Sequence, residues 1–158
     1  MRKKILLAAS LVFIIDLVSK IIVVNTMLPE KEYYIIPKLF YFCFTKNKGG
    51  AWSILNNYTY ILAIVAILAL IYIIKQIKEN MTKLEMLSFI LLIGGIIGNL
   101  FDRIFHGYVI DFIGVIIFKY HFPIFNVADI CIVVGAILLL ISAIFGGKND
   151  SRSKWRKR

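Results

Sequence analysis

Four long apolar runs dominate the pattern of hydrophobic and polar positions along the chain. They cover residues 5–24, 58–74, 84–100 and 126–145. Runs of about 17 to 20 residues suit a hydrocarbon core of roughly 30 Å when they form helices. The pattern therefore predicts an all-α membrane protein with four transmembrane helices in residues 1–145. Residues 146–158 form a polar, basic tail that we expect to be disordered.

Aromatic and β-branched residues mark the segment between the first two runs. The stretches 33–36 and 39–45 are rich in Tyr, Phe and Ile, and Pro37 separates them. This composition favours strands, and strands this apolar would aggregate if they were free in water. We therefore predict a small extracytoplasmic β-sheet that lies on the membrane surface. Residues 51–57 are predicted to form a short interfacial helix before the second span.

The placement of charge orients the four spans. The chain has 19 Lys and Arg against 9 Asp and Glu, and 12 of the 19 basic residues lie before the first run, in residues 75–83 and in the tail. Because Lys and Arg mark cytoplasmic ends, we expect both termini and residues 75–83 in the cytoplasm. Segments 25–57 and 101–125 then lie outside. The same clustering at the ends of apolar runs argues against a nucleic-acid partner, despite the net charge of +10.

Ionisable residues inside apolar runs are costly and are therefore functional candidates. Asp16 and Lys20 are four residues apart in the first run, so they share a helix face and can pair. Two interpretations stay open: a structural ion pair in which Lys20 extends to the membrane surface, or part of a functional site. Likewise, Arg103 either anchors the end of the third run at the interface or serves a site.

Two further aspartates stand in apolar surroundings. Asp111 lies between Ile110 and Phe112, and Asp129 begins the fourth run. Asp129 is either a first-turn acid favoured by the helix dipole, with Asn126 as the N-cap, or a functional group. With the predicted topology, these residues fall near the outer face together with polar residues from three spans and both outer segments, which indicates a site. The set is Asp16, Lys20, Asn47, Asn99, Asp102, Arg103, Asp111, Asn126 and Asp129.

These residue types favour catalysis by a pair of carboxylates. Neither histidine of the chain lies near a serine nucleophile motif, and Ser19 and Lys20 are helix neighbours that do not face each other. Cys43 and Cys131 are isolated thiols, so we expect no metal and no cofactor. Two aspartates that share a proton can activate water and protonate a carbonyl oxygen, which suffices for amide hydrolysis.

Five short motifs, in order along nearly the whole chain, resemble those of the lipoprotein signal peptidase (signal peptidase II) family. Residues 47–52, Asn-Lys-Gly-Gly-Ala-Trp, are similar to the family's N-x-G-A-A-[FW], with Gly50 where alanine is usual. The other matches are residues 16–20 with D-x-x-[ST]-K, 98–103 with G-N-x-x-D-R, 107–113 with G-x-V-[VI]-D-F-I, and 122–129 with F-x-x-F-N-x-A-D.

The resemblance implies an aspartic endopeptidase of the bacterial plasma membrane. Its expected substrate is a prolipoprotein that carries diacylglycerol on the lipobox cysteine, cut just before that cysteine. The resemblance assigns the catalytic pair to Asp111 and Asp129. The residues expected to line or brace the pocket are Asn47, Asn99, Arg103 and Asn126. The residues expected to support the site are Asp16, Lys20 and Asp102.

Two other classes of protein fit parts of the pattern. A small ion or proton-coupled transporter would use the intramembrane acids as ligands, but it predicts polar residues through the full depth of the bundle. The second run and the inner half of the fourth have almost none. A non-catalytic assembly subunit would use the acids only as structural pairs. For the peptidase, the expected partners are lipidated prolipoproteins and membrane lipids, and no oligomer is required.

Overall fold

The computed structural model describes the backbone of residues 1–49 and 58–155, with side chains through residue 145. The described residues form a mostly helical molecule with four helices and a small antiparallel sheet. By length and composition, α1, α3 and α4 can each cross a membrane, whereas α2 has 17 residues. The helices are α1 (Arg2–Thr26), α2 (Thr59–Lys75), α3 (Lys83–Phe105) and α4 (Val127–Trp155), and the strands are β1 (Glu32–Ile36), β2 (Phe40–Asn47), β3 (Val109–Ile117) and β4 (Tyr120–His121).

Helix α3 is the centre of the bundle, because each of the other helices packs against it. It begins with a capping box in which Thr82 and Glu85 satisfy each other's backbone amides. Its glycines allow neighbouring backbones to approach closely. A Cβ atom at Gly95 would lie 2.6 Å from the Ala128 carbonyl oxygen of α4, and one at Gly98 would collide with the Asp16 carboxylate of α1.

The sheet has four strands in the order β1-β2-β3-β4, all antiparallel to their neighbours. The two strands predicted for the first outer segment are confirmed as β1 and β2. β3 and β4 were not predicted. The residues that join the sheet to α1 form an apolar cluster of Val23, Phe44, Ile110 and Phe112.

Two predicted boundaries change in the structure. Helix α3 continues past the predicted end at residue 100 to Phe105, and Gly107 then turns the chain with a φ of +75°. The prediction of a disordered tail is wrong for residues 146–155, because the backbone of α4 stays helical to Trp155. No proline interrupts this stretch, and Lys, Arg and Ser are compatible with a helix. The predicted interfacial helix at residues 51–57 and Gly50 lie outside the described residues.

Candidate active site

All nine polar residues singled out in the sequence lie at one end of the bundle, where the sheet meets the helices. They come from α1, β2, α3, β3 and the start of α4. Hydrogen bonds and ion pairs connect them. Asp102 and Arg103, which the sequence places just past the predicted end of the third run, belong to the last turn of α3, so the helix itself carries them into the site.

Asp111 lies on β3 with only 2% of its surface exposed. Asn47 on the neighbouring strand β2 donates to Asp111 Oδ2 at 2.8 Å, and Asn126 donates to Asp111 Oδ1 at 2.7 Å. Burial raises the pKa of Asp111 to about 7, and the nearby Asp129 carboxylate adds to the rise while the two amides oppose it. The raised pKa favours the protonated form of Asp111 relative to an exposed aspartate.

Asp129 is held by the N-terminus of α4. The Asp129 amide donates to Asn126 Oδ1 at 2.9 Å, and the Asn126 amide donates to Asp129 Oδ2 at 3.1 Å, which is a reciprocal cap. Asn126 is thus the predicted N-cap. The other carboxylate oxygen, Oδ1, accepts from Asn99 Nδ2 at 2.7 Å. Asp129 is therefore a first-turn acid, as one interpretation predicted, and it also contacts other polar residues of the candidate site.

Asn126 joins the two aspartates directly. Its side chain is fully buried, and its amide nitrogen donates both to Asp111 Oδ1 and, at 3.0 Å, to Asn99 Oδ1. Through its backbone amide and its side chain, Asn126 contacts both carboxylates at once. A buried amide whose donors and acceptor all have partners fixes one geometry for the pair.

A buried ion cluster lies behind the pair, and we call Lys20, Asp16 and Asp102 the Lys20 cluster. Lys20 Nζ is 2.7 Å from Asp16 Oδ2 and 2.9 Å from Asp102 Oδ2, and each of the three side chains is 1% exposed. The same ammonium donates to Asn99 Oδ1 at 3.1 Å. The predicted ion pair of Asp16 and Lys20 is therefore present. Lys20 does not extend to the membrane surface, because it turns inward to a second carboxylate.

The Lys20 cluster holds the backbone next to each aspartate of the pair. Asp16 Oδ1 accepts the amide of Ala128 at 2.8 Å, and Ala128 directly precedes Asp129. Asp102 Oδ2 accepts the amide of Ile110 at 3.1 Å, and Ile110 directly precedes Asp111. The sequence did not predict these two backbone contacts. The signal available for them was that Ala128 and Ile110 each directly precede an aspartate.

Arg103 is half-buried and contacts protein backbone. Its Nη1 donates to the Asn99 carbonyl at 3.1 Å, and its Nη2 donates to the Gly49 carbonyl at 3.3 Å. It therefore links the end of α3 to the chain that follows Asn47. His106, not assigned to the site from the sequence, lies 3.5 Å from Asp102 Oδ1 through its Nδ1.

An apolar groove opens beside Asp129. It has a volume of about 440 Å³, and Asp129 supplies an ionisable group at its wall. The groove therefore gives an apolar ligand access to a carboxylate of the site. Its lining is Phe122, Pro123, Ile124, Phe125, Asp129, Ile130, Ile132, Val133 and Val134.

Comparison with known proteins gives concordant matches at the levels of family, sequence and structure. The family described as Signal peptidase (SPase) II matches residues 8–145. The lipoprotein signal peptidase of Staphylococcus carnosus (strain TM300) is 39% identical over 143 residues, which cover 88% of this chain and 89% of the relative.

Two solved structures of bacterial membrane enzymes, determined by the in meso method, share the fold. The one at 2.3 Å resolution has a TM-score of 0.77 at 35% identity and covers 93% of this chain and 91% of its own. The one at 1.9 Å has a TM-score of 0.74 at 34% identity and covers 90% of this chain and 94% of its own.

The fold and these relatives define a multi-pass peptidase of the bacterial membrane. The chain belongs to the signal peptidase II family. The transporter interpretation finds no support in these matches.

Proposed function

We propose that this chain is an aspartic endopeptidase that removes the signal peptide from diacylglyceryl-modified prolipoproteins by cutting just before the lipidated cysteine. The observation that carries the proposal is the contact of Asn126 with both Asp111 and Asp129. Two carboxylates that both contact Asn126, one of which lines the apolar groove, can supply an acid and a base to a lipid-linked peptide. The relative from Staphylococcus carnosus is named for the same substrate class.

In the proposed reaction, Asp129 is the initial base and Asp111 the initial acid. The Asp129 carboxylate takes a proton from water as the water oxygen attacks the scissile carbonyl carbon, and protonated Asp111 donates its proton to the carbonyl oxygen. As the tetrahedral intermediate collapses, its hydroxyl proton returns to Asp111 and the proton on Asp129 passes to the leaving amine. Both aspartates then regain their starting states, and the signal peptide ends in a new carboxyl group.

The contacts of the two aspartates support this assignment of roles. Hydrogen-bond donors on both oxygens of Asp129 favour a carboxylate there, and the N-terminus of α4 adds its dipole. Burial and the raised pKa of Asp111 favour the protonated acid there.

The remaining residues of the site have two roles in this proposal. One group lines or braces the pocket around the substrate: Asn47, Asn99, Arg103 and Asn126. The other group, the Lys20 cluster, supports the backbone that carries the aspartates.

We further propose four transmembrane spans with both termini in the cytoplasm and the sheet and site at the outer face. The N-terminal ammonium lies 3.5 Å from Glu79 in the turn between α2 and α3. The start of the chain and this basic turn therefore share the end of the bundle opposite the sheet. The excess of Lys and Arg at that end favours the cytoplasm.

Single cysteines introduced by Lys38→Cys, in the turn between β1 and β2, and Lys78→Cys, in the turn between α2 and α3, test this topology. Both lysines are exposed, and Cys43→Ser and Cys131→Ser provide the background. In intact cells, we expect an impermeant thiol reagent to label the first cysteine and not the second, and permeabilisation to expose both. The reverse labelling would invert the proposed orientation.

The lipid on the substrate should be required for efficient cleavage. The groove beside Asp129 is apolar, and each buried CH₂ contributes about 0.8 kcal/mol, so a whole acyl chain changes binding strongly. We expect the purified chain to cleave a diacylglyceryl precursor at least on the order of 100-fold more efficiently, as kcat/KM, than the same peptide without lipid. Equal efficiencies would show that the lipid is not recognised.

A further inference from the structure

Two turns of the sheet meet at the end that points away from the aspartate pair. The Leu39 carbonyl, in the turn between β1 and β2, accepts the Ile116 amide of β3 at 2.8 Å. The turn between β3 and β4 is Phe118-Lys119, because Ile117 pairs with Tyr120. We call residues 37–39 and 117–120 the sheet tip. Ile117 lies six residues beyond Asp111 along the extended strand β3, or roughly 20 Å away, so the sheet tip is separate from the site.

The residues in these turns are unusual for their backbone conformation. Phe118, Lys119 and Lys38 have φ angles of +47°, +68° and +61°. A two-residue hairpin turn with two positive φ angles strongly favours Asn-Gly, since larger side chains are disfavoured there. A bulky phenylalanine and a lysine occupy these positions instead, which points to a role for the side chains themselves.

The sheet tip combines exposed apolar side chains with positive charge. Phe118 is 99% exposed, and Leu39, Ile117 and Tyr120 are each about half exposed. Beside them is a cavity of about 560 Å³ that carries two ammonium groups and an imidazole, and its lining is Tyr34, Pro37, Lys38, Ile116, Lys119 and His121. Glu32 is the nearby acid, and its carboxylate accepts the Tyr34 hydroxyl at 2.6 Å.

We propose that the sheet tip is a lipid-binding site in which Phe118 inserts among acyl chains while Lys38 and Lys119 bind the phosphate headgroup of an anionic phospholipid. This inference rests on the topology proposed above, in which the sheet of this multi-pass membrane protein lies at the outer face of the membrane. Exposed aromatic and aliphatic side chains with flanking lysines match the two parts of a lipid, its chains and its headgroup. The site anchors the sheet at a second point, far from the helices.

A fluorescence experiment on the full chain tests the proposal. Phe118→Trp serves as the reporter, with Trp52→Phe and Trp155→Phe removing the native indoles. The protein is placed in nanodiscs of phosphatidylcholine that contain increasing fractions of phosphatidylglycerol brominated on its acyl chains. We expect quenching at low fractions of this lipid. Adding Lys38→Gln and Lys119→Gln should raise the fraction needed for half-maximal quenching on the order of tenfold, because each lysine near an anionic surface contributes a several-fold preference.

Matched controls separate the possible outcomes. The pair Lys75→Gln and Lys78→Gln, at the opposite end of the bundle, should leave the quenching curve unchanged. Brominated phosphatidylcholine should quench only weakly in competition with unlabelled phosphatidylglycerol. Equal quenching by the two lipids, or no quenching by either, would overturn the proposal. So would displacement of the lipid by inorganic phosphate at low concentration, because that result would assign the site to a free anion.

Discussion

We expect Lys20→Met to give a protein that folds poorly and melts well below the unsubstituted chain. Methionine keeps an apolar chain of similar length but removes the ammonium that contacts Asp16, Asp102 and Asn99. Two carboxylates, each 1% exposed, then lose their counter-ion. Breaking a buried ion pair costs about 3 to 5 kcal/mol, which corresponds to a fall in Tm on the order of 10 °C for a chain of this size. Thermal unfolding of the purified proteins in one detergent measures it.

Two variants make the Lys20 prediction specific. Lys78→Met removes an exposed lysine and should leave the Tm nearly unchanged. The triple change Lys20→Met, Asp16→Asn and Asp102→Asn removes the uncompensated charges, and it should recover part of the lost stability. A Lys20→Met protein as stable as the Lys78→Met protein would refute the role given to the Lys20 cluster.

The sequence predicted the helices well because the membrane imposes a simple rule on them. Long apolar runs have few other uses, and each predicted run corresponds to a helix; α1, α3 and α4 are longer than predicted, and α2 has the predicted length but begins one residue later. The end of α3 was missed because Asp102 and Arg103 look like interface residues. In the structure they stay helical because Asp102 turns inward to the Lys20 ammonium.

The third strand was missed because it lacks the alternation that identifies a half-exposed strand. The first four residues of β3, Val109–Phe112, are all buried, so both faces are covered and the pattern is a continuous apolar run. Six of the nine residues of β3 are Val or Ile, which was the available signal. As a result, the sequence identified Asp111 as a candidate site residue but did not predict the strand that carries it or the side chains that hydrogen-bond to it.

The grouping of the nine polar residues could be predicted, but their contacts could not. Topology alone placed them at one depth of the membrane. Which side chain donates to which depends on helix rotation and on backbone amides such as those of Ala128 and Ile110. No sequence motif predicts that Lys20 contacts both Asp16 of α1 and Asp102 of α3, because these contacts follow from the packing of α1 against α3.

The largest effect on catalysis should come from Asp111→Asn and from Asp129→Asn. Asparagine is nearly isosteric with aspartate but cannot exchange a proton with water or substrate. General acid–base catalysis contributes about a hundredfold to ten-thousandfold, and each aspartate acts twice in the proposed cycle, so we expect at least about a thousandfold lower turnover. Substrate binding should persist. Asp16→Asn should instead reduce activity or the yield of folded protein without ending turnover.

The hydrogen bonds around the two aspartates determine which controls these two variants need. An asparagine at position 111 can accept from only one of the two amides that now donate to Asp111, so its Tm must be checked beside its activity. Glu32→Gln removes a carboxylate from an exposed position on β1 and should retain full turnover. Binding of the lipidated precursor by each inactive protein shows that the pocket is intact.

The most direct test is cleavage of a synthetic diacylglyceryl precursor by purified chains, with mass spectrometry of the released peptide. We expect the unsubstituted and Glu32→Gln chains to release a peptide that ends just before the lipidated cysteine. Folded Asp111→Asn and Asp129→Asn chains should bind the precursor and release almost none. Near-normal release by either folded Asn variant would contradict the aspartic mechanism and favour a non-catalytic role for the acids.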